Sequence, residues 1–199
     1  MINAANIIDY NRTDTELEEL LLFCIAVAGK SSKQIEKALD DFLSLRFNLT
    51  KTRNFSPFKF IRFMNKFTKV TGCKDVLKNR IVNSGLGQHN KLTKSFTEIS
   101  ESGLDLRKCS VDDLMQIHGI GPKTARFFIA SSRPNQKMAV LDTHILKYIS
   151  KYRKDVPKST PSGKKYIELE NWFKEHCEKK GIKNIAEFDL LLWKQGSGR

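Results

Sequence analysis

The chain is poor in cysteine, in long apolar runs and, through its middle third, in acidic residues. Each shortage removes a class of function. The four cysteines, Cys24, Cys73, Cys109 and Cys177, stand 49, 36 and 68 residues apart. That is neither a zinc pattern nor an iron–sulfur one, and free thiols in a reducing compartment are expected. No apolar run approaches the length of a membrane span, and Met1 to Tyr10 is too polar and mixed for a secretion signal. The expectation is an intracellular protein with no membrane partner. No long stretch alternates apolar and polar residues as a half-buried strand would, and there is no internal repeat or low-complexity tract.

What is present is enough to fold. The chain has 199 residues, 40% of them hydrophobic, with 13 Phe, which suffices for one domain or two lobes around a core. The net charge of +13 is uneven. Residues 1–41 carry four basic and eight acidic side chains, net −4, whereas residues 42–99 carry twelve and two, net +10. Residues 100–199 carry nineteen and twelve, net +7. A patterned positive field points to a polyanion, and no segment reads as an interfacial membrane anchor.

Helical periodicity runs through the chain. Thr13 or Asp14 is suited to cap a helix through Leu17, Leu20, Leu21, Cys24, Ile25 and Ala28, ended by Gly29. Ser31 and Ser32 open a second helix, and residues 47–55 read as a loop. Ser56-Pro57 starts a third, to about Val70, with Phe60, Phe63, Met64 and Phe67 as its apolar stripe. Lys59, Arg62, Lys66 and Lys69 form a basic stripe on another face. That stripe suits either plain solvation or phosphate tracking. Further helices are expected near 73–83, 91–99, 142–152, 162–179 and 184–195. The turn-rich segment Asn83-Ser84-Gly85-Leu86-Gly87-Gln88-His89-Asn90 lies between two of them. The ending Gly196-Ser197-Gly198-Arg199 reads as a frayed end or an appended tail.

The densest information lies at residues 110–145. Ser110, with Asp113 three residues on, opens a helix, and Pro122 suits the first position of another. Between them stands His118-Gly119-Ile120-Gly121, so residues 110–132 read as a helix–hairpin–helix. Gly119 and Gly121 let the backbone approach another surface closely. The N–H groups that open the second helix are free to face an anion, and on a basic chain that anion is a nucleic-acid phosphate. Lys123 puts an amine in the first turn, where the helix dipole favours its neutral, nucleophilic form. Nineteen residues later, Asp142 in Val140-Leu141-Asp142-Thr143-His144-Ile145 caps the next helix and offers a carboxylate.

Taken together, Gly119-Ile120-Gly121-Pro122-Lys123-Thr124-Ala125 and Val140-Leu141-Asp142-Thr143-His144-Ile145 resemble the helix–hairpin–helix superfamily of base-excision DNA glycosylases. The likeness is to its bifunctional members, endonuclease III and above all the compact 8-oxoguanine glycosylases. The absence of a C-terminal four-cysteine cluster departs from the usual endonuclease III. The resemblance implies an all-α fold of two helical lobes, about 30–135 and 1–29 with 136–199, with a DNA cleft and the hairpin at its mouth. It implies Lys123 as the Schiff-base nucleophile and Asp142 as its acidic partner. His118, Gly119, Gly121 and Thr124 would contact DNA with Lys59, Arg62 and Lys66, and Leu86 would be the wedge that fills the gap left by a flipped base. Glu187-Phe188-Asp189-Leu190-Leu191-Leu192-Trp193 resembles a base-pocket helix, which implicates Trp193, Asp189 and Phe188. The carbonyls of Met115, Ile117 and Ile120 are placed to hold a monovalent cation, with no catalytic metal and no cofactor. The expected partner is duplex DNA bearing a damaged base, met by a monomer that excises 8-oxoguanine and cuts the strand. An endonuclease III-like enzyme for oxidised pyrimidines, a lyase acting only on abasic sites and a non-catalytic hairpin module are the alternatives.

Overall fold

The computed structural model describes residues 2–50 and 55–197, with side chains of 46–50 and of Ser197 left undescribed. A 3-10 turn, Ala4–Asn6, precedes ten α-helices among these residues. They are α1 (Asp14–Ala26), α2 (Ser32–Thr50), α3 (Pro57–Thr71), α4 (Val76–Asn83), α5 (His89–Glu101), α6 (Val111–Met115), α7 (Pro122–Ser132), α8 (Thr143–Ile149), α9 (Gly163–Lys179) and α10 (Ile185–Ser197). The fold is therefore all-helical, as the periodicity predicts. No helix among the described residues is long and apolar enough to cross a membrane.

Packing divides the chain between Ile120 and Gly121. One unit holds the residues up to Ala4 and Asn11–Ile120; the other holds Ala5–Tyr10 and Gly121–Arg199. The lobes expected from sequence join near residue 135 and place the first helix in the other lobe. In the structure α1 packs against α2, α3 and α5. The reason is composition: α1 is buried continuously from Glu19 to Ala26, on every side, as a central helix must be, and is not a one-faced amphipathic element.

In the first unit Thr13 caps α1 in a reciprocal box with Glu16, and Ser56 caps α3 with Pro57 at its first position. The core gathers Phe42, Phe60 and Phe96, with ring centroids 6.0 and 5.7 Å from Phe42. α2 continues through Thr50, where the sequence predicts a loop; the rest of that expected loop, 51–54, lies outside the described residues. Phe63 and Phe67, expected to face inward, are 49% and 43% exposed. Beyond the first turn of α3, only Phe60, Ile61 and Met64 reach the core. An exposed pair of rings is indistinguishable from a core stripe by spacing alone.

The second unit is built around Leu141, Ile145, Ile149, Tyr166, Leu169, Phe173 and Cys177. Within it lies a buried ion pair. The Arg126 guanidinium on α7 donates to Glu170 on α9 at 2.8 Å, both side chains being nearly solvent-free. Arg126 also lies 4.6 Å above the Tyr166 ring. Removing one partner of such a pair strands a charge in the interior. Glu170→Ala is therefore expected to lower unfolding free energy by about 3–5 kcal/mol. Urea denaturation of wild type and variant measures it, and a change near zero would mean that the pair is solvated.

Candidate functional site

The hairpin is fixed first. Ser110 and Asp113 cap α6 reciprocally, as their spacing predicts. The Ile120 N–H donates to the Ile117 carbonyl at 3.1 Å, closing the turn. The turn is held against α5 by two side chains. The His118 N–H donates to Glu98 Oε2 at 2.6 Å, and Ser95 Oγ donates to the His118 carbonyl at 2.6 Å. Gly119 has φ +79°, and a Cβ there would meet Ser95 Oγ at 2.8 Å. Only glycine satisfies both conditions. The His118 ring is exposed. The sequence offers no signal for Ser95 and Glu98, because their relation to the turn is purely tertiary.

α7 begins differently. Its N-cap is Gly121, in extended backbone, with no side-chain cap bond and nothing within 4 Å of a hypothetical Cβ. Pro122 follows, then Lys123, half-buried, and Thr124, buried. The opening N–H groups thus lack the side-chain partner that α1, α3 and α6 possess, as do those of α4, α5 and α9, and are free to face an anion. Thr124 can reach a ligand through its N–H, since its side chain is buried.

Asp142 caps α8. Its Oδ1 accepts both the His144 N–H at 2.8 Å and the Ile145 N–H at 2.9 Å. The carboxylate is thereby clamped in one orientation, and Oδ2 takes neither bond. The segment leading to it, Ala139–Leu141, belongs to no sheet. Its backbone groups are nonetheless all engaged. Ala139 N–H donates to Glu170 Oε1 at 3.1 Å, and the Ala139 carbonyl accepts from the Tyr166 hydroxyl at 2.9 Å. The Leu141 N–H donates to that same hydroxyl at 3.2 Å, and the Leu141 carbonyl accepts from Thr160 Oγ1 at 2.8 Å. Val140 N–H donates to Asp189, and the Val140 carbonyl accepts from Asp142 N–H at 2.6 Å.

Asp189 ties the site together. Its carboxyl group is wrapped by protein, and that burial, more than the neighbouring Asp142 charge, pushes it well above the ordinary carboxylate range. The Val140 N–H and the Lys123 ammonium oppose the shift. Lys123, Asp142 and Asp189 are thus electrostatic neighbours within one unit. Burial also raises Tyr166, and it pushes Cys177 up to about 11 with help from Asp189.

Other expected residues fall elsewhere. Leu86 is fully buried and its carbonyl accepts from Lys30 Nζ at 2.5 Å. A side chain packed in the core cannot serve as a wedge, and the exposed residues that follow it are Gln88, His89 and Asn90. Phe188 packs against Phe173, stacked at 6.1 Å, and edge-on to Tyr148 at 5.4 Å. It is partly buried and packs against the core. Trp193 is half-buried on α10. Lys59 and Lys66 are exposed, whereas the Arg62 guanidinium donates to the Ser100 carbonyl. Gly196 lies in α10, where a Cβ would collide with the His144 ring, so this part of the ending is packed helix. Among the described residues no three His, Cys, Asp or Glu side chains come together as metal ligands.

A family model described as 8-oxoguanine DNA glycosylase matches residues 4–182. The chain is also similar to a protein of Fusobacterium nucleatum subsp. nucleatum named 8-oxoguanine DNA glycosylase/AP lyase. The two are 26% identical over 192 residues, which covers 94% of this chain and 83% of that protein. No solved structure matches the chain.

The burial of Asp189 gives a pH test. Asp189 holds its proton in the folded state above the 3.8 of an ordinary aspartate. Its contribution is therefore fully present at low pH and is lost as pH rises through the raised value. Asp189→Asn retains a carbonyl to accept the Val140 N–H and cannot ionise. Its stability relative to wild type should grow from about pH 4 upward, by at most about 1.4 kcal/mol per pH unit. Denaturant titrations at several pH values follow this difference, and a flat difference would show Asp189 to be solvated.

Proposed function

The chain belongs to the Ogg-HhH family of 8-oxoguanine DNA glycosylases, and on that premise we propose that it excises 8-oxoguanine from duplex DNA through a lysine Schiff base and then cuts the strand. The observation that carries the mechanism is the grouping of Lys123, Asp142 and Asp189 at the start of α7, the start of α8 and on α10. The damaged nucleotide leaves the stack first, because C1′ is inaccessible in a duplex. Lys123 Nζ attacks C1′; the C1′–N9 bond breaks and the base departs with its electron pair, taking up a proton. Asp142, held by its two cap bonds, faces the positive charge that develops on the sugar. Loss of the ring oxygen from C1′ gives the imine, and removal of a C2′ proton expels the 3′ phosphate oxygen by β-elimination.

The backbone N–H groups of Gly121, Lys123 and Thr124 receive phosphate, and the exposed His118 ring, Lys59 and Lys66 add DNA contacts. A monovalent cation in the hairpin would be held by the carbonyls of Met115, Ile117 and Ile120, which are hard oxygen donors suited to it. Trp193 is the residue assigned to stack on the extruded base, and the protein works as a monomer. Family membership favours 8-oxoguanine over the oxidised pyrimidines of the endonuclease III-like alternative.

Borohydride reduction tests the nucleophile. Wild type incubated with duplex containing 8-oxoguanine opposite cytosine should form a stable covalent adduct. Lys123→Ala should form none while keeping much of its DNA affinity, because the backbone contacts persist. An adduct at full yield in the variant would remove Lys123 from its role. Asp142→Asn retains the Oδ1 acceptor and should keep α8 capped, yet lose most of the excision rate.

Salt dependence tests the basic face. Each phosphate neutralised releases about one counterion. Replacing Lys59 and Lys66 together by Glu should flatten the slope of log affinity against log salt by about two, for any DNA sequence. Arg62 is left in place, since its guanidinium serves Ser100. An unchanged slope would make this a solvated face.

A further inference from the structure

Asp142 is placed by side chains, not by a sheet. A buried length of chain outside a helix usually lies in a ladder that satisfies its backbone and fixes its path. Ala139–Leu141 has none, and five of its six backbone polar groups are taken by side chains. Tyr166 contributes twice: its hydroxyl donates to the Ala139 carbonyl and accepts the Leu141 N–H. A phenol has one proton to give and lone pairs to receive, and here it uses both functions on either side of Val140. Glu170 accepts the Ala139 N–H with the same oxygen that binds Arg126. Arg126 stands about one helical turn after Lys123 on α7. A continuous path of buried bonds therefore runs from the lysine's helix through Arg126, Glu170 and Ala139 to Tyr166, Leu141 and Asp142.

We propose that Tyr166 and Glu170 are positioning residues that set Asp142 against Lys123, by acting in place of a neighbouring strand for the segment Ala139–Leu141. The inference rests on the lysine mechanism proposed above. Neither side chain touches the reacting sugar; each acts through the backbone that carries Asp142. The step most sensitive to them is base release, which needs the carboxylate as charge builds on the sugar. A preformed abasic site presents an aldehyde that takes the amine with no base to expel, so it depends less on where the carboxylate lies.

Tyr166→Phe tests this, because it keeps the ring under Arg126 and deletes only the hydroxyl. In single-turnover reactions with 8-oxoguanine duplex, the base-release rate should fall about tenfold to a hundredfold, the range expected for a misplaced catalytic group. DNA affinity and strand cutting at a preformed abasic site should stay near wild type. Thr160→Val, at the exposed end of the same network, should slow base release in the same selective way but by less. It decides the matter if Tyr166→Phe does not fold. Base release at the wild-type rate in a folded variant overturns the proposal. So does an equal loss on both substrates with weakened DNA binding, which would mean a merely structural role. Wild type is run alongside with borohydride. If it forms no adduct, the lysine mechanism itself falls, and this inference with it; if it forms one, the variants judge the positioning alone.

Discussion

The path from Ala139 to Asp142, without a strand beside it, is the constraint on which the second unit depends. Leaving a buried backbone group without a partner costs about 1–3 kcal/mol, and this segment presents six such groups. Their partners must come from elements packed around it, so α9 has to carry Tyr166 and Glu170 on its inward face and α10 has to carry Asp189 there. Glu170 in turn requires a cation, which Arg126 provides. Tyr166 has to remain a phenol to serve two backbone groups, and burial holds it in that form. The polar interior thus follows from one length of chain that must be both fully bonded and correctly aimed.

Helix termini show the same division of labour. α1, α3 and α6 are closed by side-chain caps. α7 is opened by a glycine and a proline, neither of which fills the space before its N–H groups. α8 is capped by Asp142 itself, so the carboxylate that stabilises the helix is the one aimed at the sugar in the proposed mechanism. Cap and catalyst need the same thing, a rigid carboxylate at a defined angle. Asp189 is placed differently: wrapped in protein beside another acid, it is driven toward its neutral form.

What can be read in the sequence is local. The caps at Thr13, Ser56, Ser110 and Asp142, the proline at the head of α7 and the glycine turn are short-range chemistry, and the structure bears them out. What cannot be read is which apolar residues meet the core. Leu86, flanked by glycines, looks free in the sequence and is buried; Phe63 and Phe67 look buried and are exposed. Spacing defines a helix face but not what lies opposite it. One further signal does exist. Tyr166, Leu169, Phe173 and Cys177 form the buried stripe of α9, and Glu170 sits among them. A lone carboxylate on an apolar face demands a partner, and following it leads to Arg126 and on to the segment that holds Asp142.

The division of the chain inside its own hairpin gives these observations a common sense. Gly119 and the bonds that clamp its turn, from Ser95 and Glu98, belong to the first unit, along with the acid-poor, strongly basic stretch of residues 42–74. Lys123, Asp142, Asp189 and the whole network around Ala139–Leu141 belong to the second. Both units carry a positive balance, net +5 in the first and +8 in the second, whereas the groups proposed for bond breaking are assembled wholly within the second. In the proposed mechanism the reacting geometry is then set by packing among α7, α8, α9 and α10 and by Thr160 in the loop before α9. On the proposed mechanism the buried ion pair and the doubly used phenol belong there, because alignment of a nucleophile and a carboxylate tolerates less slack than attraction of a phosphate backbone does.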